Sequence, residues 1–374
     1  MTGRFPHLIL FLAAFLAALA LANAYHVKPG IAHHVKSIFV FGDSQFDAGN
    51  NKYIKHCGLQ ANYTPYGMSY FHTPTGRFTN GRTVADFISQ YLGIKFQKPY
   101  QEVYRKLVHH SHHIRKTMPD NGLNFASAGS GLLPDTNNRQ RVTSIQSQLL
   151  QFQALVKQNF IHRKQVVESI YFLASGSNDI FSYYLLHGEL KLNETAYAHA
   201  MLKEASKFID KIYKLGGRRI VAYGVGPMGC IPGRVLIKRA PKDHCYDKMD
   251  RMVKYYNAEL QHLMISIPRR YPGAIGVYVV VYPTVQNFLT HPKLYGFLNV
   301  SQACCGAGPL NGELQCGLRG YKLCHNPNDY FFWDYFHPSE RVYGLIAKGI
   351  WAGGKKQIWP MNVRTLASIK LPFH

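Results

Sequence analysis

Acyl transfer needs a nucleophile, a base to take its proton, a group to orient that base, and donors for the oxyanion that forms. Ser44 stands in Phe41-Gly42-Asp43-Ser44, directly after an apolar run and a glycine, where a hydroxyl can project from the end of a strand. His337 lies at the far end of the chain in Phe332-Trp333-Asp334-Tyr335-Phe336-His337-Pro338, three positions after Asp334. In a turn or a helical start that spacing brings both side chains to one face. The carboxylate can then hold the ring nitrogen opposite the one facing Ser44. Asn124-Phe125-Ala126-Ser127-Ala128-Gly129 and Gly176-Ser177-Asn178-Asp179 are loop starts suited to presenting the Gly129 N–H and the Asn178 amide to an oxyanion. Each segment alone is an ordinary turn sequence, and a lone Asp-x-x-His is more often a surface pair. Four such segments in this order, each tied to a strand end, are harder to dismiss. The G-x-S-x-G elbow of the α/β-hydrolases does not occur in the chain, which argues against that fold but not against a serine hydrolase.

Positioning these residues requires a rigid frame, and the hydropathy pattern supplies one. Short apolar runs at Ser37–Phe41, Leu123–Ala126, Ile170–Leu173, Arg219–Tyr223 and Ile275–Val281 read as strands. Between them, apolar residues recur at three and four: Val84, Phe87, Ile88, Tyr91 and Leu92; then Ile145, Leu149, Phe152, Val156 and Phe160. A helix from Glu194 to Leu215, another through Met249, Val253, Tyr256, Leu260 and Leu263, and a last one lined by Val342, Leu345, Ile346 and Ile350 complete the series. Strands separated by helices imply right-handed crossovers and a parallel sheet covered on both faces. Ligands collect at the carboxyl ends of the strands in such sheets. The least structured stretch, Lys95 to Asn121, carries His109-His110-Ser111-His112-His113. A metal is conceivable there, but the flanking Lys and Arg read as a solvated loop, so no metal and no cofactor is expected.

The chain opens on an export signal: Arg4 as the positive region, an apolar run from Leu8 to Leu21, and Ala22-Asn23-Ala24 as a cleavage site. Residues 1–24 are then a signal peptide, and residues 25–374 are read as one domain. No later segment has eighteen uninterrupted apolar residues, so no transmembrane anchor is expected. Seven cysteines in an exported chain point to disulfides rather than zinc, because the adjacent Cys304-Cys305 pair does not fit a two-plus-two ligand spacing. Their pairing is open, and the odd count leaves one thiol over or paired between chains. Asn62, Asn193 and Asn299 each begin an N-x-[ST] glycosylation acceptor. Lys and Arg outnumber Asp and Glu by 43 to 20, a net charge of +23. After export such a surface would meet acidic polysaccharides or anionic lipid rather than nucleic acid.

These segments together resemble the plant-type GDSL esterase/lipase family of the SGNH hydrolases. The resemblance rests on Phe39-Val40-Phe41-Gly42-Asp43-Ser44 with Phe46-Asp47-Ala48-Gly49-Asn50-Asn51, on Asn124–Gly129, on Gly176–Asp179, and on Phe332-Trp333-Asp334 with His337-Pro338-Ser339-Glu340. Thr75-Gly76-Arg77-Phe78-Thr79-Asn80-Gly81-Arg82, Gly226-Pro227-Met228-Gly229-Cys230-Ile231-Pro232 and Ala303-Cys304-Cys305-Gly306 extend it over nearly the whole chain after residue 24. It implies a flavodoxin-like three-layer α/β/α sandwich with a mainly parallel five-stranded sheet. Ser44 would be the nucleophile, Asp334 and His337 the orienting acid and the base, and the Ser44 N–H, Gly129 N–H and Asn178 amide the oxyanion hole. Gln45 stands where the family usually has an apolar or small residue, and Ala174 where isoleucine is frequent; both bear on pocket shape only. The expected function is hydrolysis of an acyl or acetyl ester, lipid-like or of the cell wall, by an enzyme secreted to the apoplast or wall. Acyl transfer to a hydroxyl, as in a cutin synthase, and a catalytically silent wall-binding protein are the alternatives. Activity is expected to rise with pH as the histidine base loses its proton.

Overall fold

The computed structural model describes residues 33–109, 118–186 and 192–372. The signal-peptide reading of residues 1–24 and most of the histidine run therefore lie outside the described residues. Six strands run in parallel: β1 (Ile38–Gly42), β2 (Lys98–Pro99), β3 (Leu123–Asn124), β4 (Ile170–Ala174), β5 (Arg219–Tyr223) and β6 (Ile275–Val279). Four short strands, β7 (Asn299–Ala303), β8 (Cys305–Gly306), β9 (Lys322–Leu323) and β10 (Tyr330–Phe332), form two separate pairs, β7 with β10 and β8 with β9. A final strand, β11 (Ile358–Trp359), runs antiparallel to β6 and closes the main sheet in the order β11-β6-β5-β4-β1-β3-β2.

The sheet is thus the expected mainly parallel one with helices on both sides, but it has seven strands, not five. The two unforeseen edges, β2 and β11, are two residues each, too short to leave any periodic signal. The segment Lys95 to Asn121, read as the least structured, in fact holds β2 and the helix Tyr100–His109. Tyr100, Val103 and Leu107 are buried there at helical spacing, and the surrounding Lys, Arg and His masked them. The run ending at Val281 also stops earlier as a strand, at Val279, because Val281 opens the helix Val281–Thr290.

Every residue of β1, β4 and β5 is buried, as a parallel strand covered on both faces requires. Aromatic rings from β1 anchor this core: Phe41 stacks on Phe125 at 5.0 Å, and Phe39 meets Phe152 at 4.9 Å. The register sets Gly42 opposite Ala174 and Val40 opposite Asn124. The carboxyl ends of β3, β1 and β4 therefore lie side by side. The chain leaves β1 for β2 and β3 on one flank and then fills β4, β5 and β6 on the other, so β1 is the switch point where such sheets open a crevice.

Candidate active site

The strand end at β1 is held by backbone geometry that only glycine meets. Gly42 has φ +148°, and a Cβ there would fall 2.1 Å from the Ala174 carbonyl oxygen. Asp43 N–H donates to that same oxygen at 3.1 Å, which turns the chain off the sheet just before Ser44. Ala174 thus serves through its backbone, whatever its side chain. Gln148, on the helix Ile145–Lys157, clamps both sides of Gly42. Its Oε1 accepts the Gly42 N–H at 2.9 Å, and its Nε2 donates to the Gly42 carbonyl at 2.9 Å.

Ser44, His337 and Asp334 form one hydrogen-bonded chain. Ser44 Oγ lies 2.7 Å from His337 Nε2, and His337 Nδ1 lies 2.7 and 2.9 Å from the two Asp334 oxygens. An ionised carboxylate only accepts, so Nδ1 carries the ring proton and Nε2 is left to accept from Ser44. Asp334 is fully buried and saturated with donors: Phe336 N–H at 2.9 Å, His337 N–H at 2.8 Å and the Tyr66 hydroxyl at 2.7 Å. Tyr66 lies outside every motif named above, and a buried tyrosine far away in sequence carries no local signal of such a role. His337 is further fixed from its other faces. The Phe78 ring sits 5.1 Å away, and Trp333 N–H donates to the His337 carbonyl at 2.7 Å. Thr79 Oγ1 donates to the Pro338 carbonyl, and Asn80 Oδ1 accepts the Glu340 N–H. The Thr75–Arg82 segment is therefore a brace for the histidine loop.

A second network sets the loops after β3 and β4. Asp47 accepts from Gly49 and Asn50 N–H at 2.7 and 2.6 Å with one oxygen and from Ala128 N–H at 3.0 Å with the other. Asn50 and Asn51 donate to the Ala126 and Ala128 carbonyls. Gly129 follows with φ +83°, where a Cβ would strike the Leu59 side chain at 2.2 Å. Asp179 receives Leu132 N–H, Leu133 N–H and the Thr136 hydroxyl at 2.7 to 2.9 Å, which ties the Asn178 turn to this loop. One N–H of the Asn178 amide donates to the Ser130 carbonyl at 3.0 Å, which leaves the other for the cavity. Neither Ser44 nor Gly129 N–H donates to a backbone acceptor among the described residues.

Ser44, Gly129, Asn178 and His337 all line one cavity of about 160 Å³, and Asp334 stands behind the histidine. Its remaining walls combine the apolar Leu59, Phe78, Phe181, Leu185, Met228 and Phe336 with the polar Gln45, Asn137, Gln140, Ser177 and Ser182. A larger cleft of about 830 Å³, between the helices Val281–Thr290 and Glu340–Ala352, touches none of these four residues. No cluster of His, Cys, Asp and Glu among the described residues is arranged to hold a metal ion. Asp43, beside the serine, is buried; its Oδ1 accepts the Gln45 N–H at 3.0 Å while its Oδ2 has no partner. Burial pushes its carboxyl up to about 7.

The cysteine pairing left open by spacing is Cys230–Cys245, Cys304–Cys324 and Cys305–Cys316, with Cys57 buried as the free thiol. Two of these bridges sit against the histidine segment: Cys304 N–H donates to the Phe332 carbonyl and Cys305 N–H to the Trp333 carbonyl. No helix among the described residues is long and apolar enough to cross a membrane.

Residues 38–350 match the model of the GDSL-like lipase/acylhydrolase family. The chain is similar to GDSL esterase/lipase 6 of Arabidopsis thaliana, 51% identical over 339 residues that cover 91% of this chain and 92% of that protein. It is also similar to the GDSL lipase of Tanacetum cinerariifolium, 32% identical over 338 residues covering 88% and 87%. Among solved structures, one described as a carbohydrate esterase aligns at a TM-score of 0.30 and 12% identity, over 62% of this chain and 56% of that one, a likeness too weak to carry an argument. The family match and the identity to these relatives show that the chain belongs to the GDSL-like lipase/acylhydrolase family, as a serine ester hydrolase.

Proposed function

We propose that the chain is a secreted carboxylic ester hydrolase working through an acyl-Ser44 intermediate. The observation that carries this reading is the relay from Asp334 through His337 to Ser44, with both links at 2.7 Å, opening on the cavity shared with Gly129 and Asn178. Ser44 Oγ attacks the acyl carbon while His337 Nε2 takes its proton, and Asp334 stabilises the imidazolium. The oxyanion is received by the Ser44 and Gly129 N–H groups and the Asn178 amide. As the tetrahedral adduct collapses, the C–O bond to the alcohol breaks, and the alcohol leaves with the proton from His337. Water then gives a proton to His337 and attacks the acyl-serine; the acid departs and Ser44 recovers its proton.

Ser44→Ala should lower kcat on a chromogenic short-chain ester by as much as ~10⁶-fold with folding intact, by analogy with other serine triads. Wild-type turnover in that variant would end the assignment.

Export is supported by residues 1–24 and by three disulfides, which persist in oxidising compartments. Asn62 and Asn193 are exposed, whereas Asn299 is half-buried in β7. An apoplastic or wall location follows, with the positive surface drawing the enzyme to acidic polysaccharide. Tyr25 at the amino terminus of the protein collected from the medium, and a mass that drops on deglycosylation, are the expected results; absence from the medium would contradict export, and a retained Met1 would contradict cleavage after Ala24.

A further inference from the structure

Behind the Ser44 cavity lies a second chamber of about 40 Å³, and the two share three wall residues: Gln45, Met228 and Phe336. Beyond that wall the chamber is almost wholly apolar, with Ile231, Val281, Val285, Phe331, Phe332 and Ile346 among its lining. Two of the wall residues are chain neighbours of reacting groups, since Gln45 follows Ser44 and Phe336 precedes His337. The wall therefore stands beside the reacting groups, between their cavity and the second chamber.

The three wall residues differ in freedom. The Phe336 ring meets Phe181 edge-on at 4.5 Å and Tyr335 at a tilt at 4.4 Å. Gln45 is tied through Nε2 to Ser177 Oγ at 3.2 Å. Met228 has a pinned backbone, because the adjoining Gly229 N–H donates to Asp250 at 2.7 Å, but its unbranched thioether makes no such tie and has three rotatable bonds. It is the element that can swing without disturbing the relay.

We propose that Met228 gates the rear chamber and that the joined space is the acyl subsite for a medium-chain aliphatic ester. The proposal rests on the acyl-Ser44 reading and specifies its substrate. A sugar or glycerol in the rear chamber would leave its hydroxyls unpaired among apolar walls, whereas an alkyl chain gains from burial. The chamber has room for roughly three water-sized groups, hence for two to three methylenes beyond the wall.

The test is kcat/KM for p-nitrophenyl acetate, butyrate, octanoate and dodecanoate, read as ratios to acetate. Each methylene accommodated is worth about fourfold, so octanoate should exceed acetate clearly in the wild type. Val285→Phe fills the chamber from the rear and should lower the octanoate-to-acetate ratio by about fifteenfold, the equivalent of two methylenes. Met228→Ala removes the gate, demands no extra space, and should raise the dodecanoate-to-acetate ratio. It decides the question even if the larger side chain at 285 unfolds the protein, which a melting curve detects. Ratios unmoved by Met228→Ala, or equal losses on all four esters in both folded variants, would overturn the chamber. That failure differs from failure of the acyl-serine reading, which shows instead as turnover by Ser44→Ala.

Discussion

Replacing Asp43 with asparagine should change how stability depends on pH. The native carboxyl is held up to about 7 by burial, against roughly 3.9 in an unfolded chain. An acid with a raised native pKa contributes stability that is fully present below the unfolded value and is lost as pH rises through the native one. The loss runs at about 1.4 kcal/mol per pH unit and totals ~4 kcal/mol. About two of those units fall between pH 5 and pH 8, a change of ~2.7 kcal/mol. At about 2 cal/mol/K per residue, the roughly 350 residues that follow the signal peptide unfold with an entropy of ~0.7 kcal/mol/K, so this corresponds to about 4 °C in Tm. Asparagine keeps an oxygen for the Gln45 N–H and puts an amide where Oδ2 has no partner, at a cost that does not vary with pH. The quantity to read is therefore the Tm of Asp43→Asn minus that of the wild type, by calorimetry from pH 5 to pH 8. It should grow by about 4 °C in favour of the variant. A difference constant to within a degree would mean that Asp43 is ionised throughout, and the burial argument would fail.

Tyr66→Phe removes one donor from the Asp334 carboxylate and leaves the packing around Trp333 in place. A hydrogen bond to a charged group is worth about 1.5–3 kcal/mol, so kcat should fall by about tenfold or more with KM nearly unchanged; an equal rise in KM would refute a role through Asp334. Asn178→Ala should cost about 10²–10³ in kcat if its free N–H meets the oxyanion, measured on a short-chain ester with the circular dichroism unchanged. The paired change Cys305→Ala with Cys316→Ala opens a loop of 11 residues beside the histidine segment. It should lower stability by about 3 kcal/mol in urea unfolding, and an unchanged midpoint would show that the bridge does not brace this region.

The long elements were legible because their burial is periodic. Val84 and Ile88, like Ile145 and Phe152, are buried at the positions their spacing marks. What escaped was either short or non-local. β2 and β11 offer two residues each, and Tyr100–His109 hides its apolar face among cations. In the site, the residues adjoining strand ends could be picked out from sequence, since a parallel sheet brings those ends together. Gln148 and Tyr66 could not, although Gln148 did leave a trace: a polar residue three positions after Ile145, on the face the helix buries. Disulfide pairing was equally non-local, being fixed by Cα separations of 4.3 to 5.0 Å that the fold creates. The cavity walls come from segments as distant as Leu59, Phe181 and Phe336, and no spacing rule joins them.

The central claim is that Ser44 is the acylated residue, and the mass of a trapped intermediate tests it most directly. Brief reaction with a p-nitrophenyl alkylphosphonate, which stops at the covalent serine adduct, followed by peptide mapping should show one modified peptide, the one containing Ser44. The His337→Ala variant should acquire that adduct far more slowly, and Ser44→Ala should acquire none. An adduct on another residue, or one that forms as fast without His337, would contradict the account.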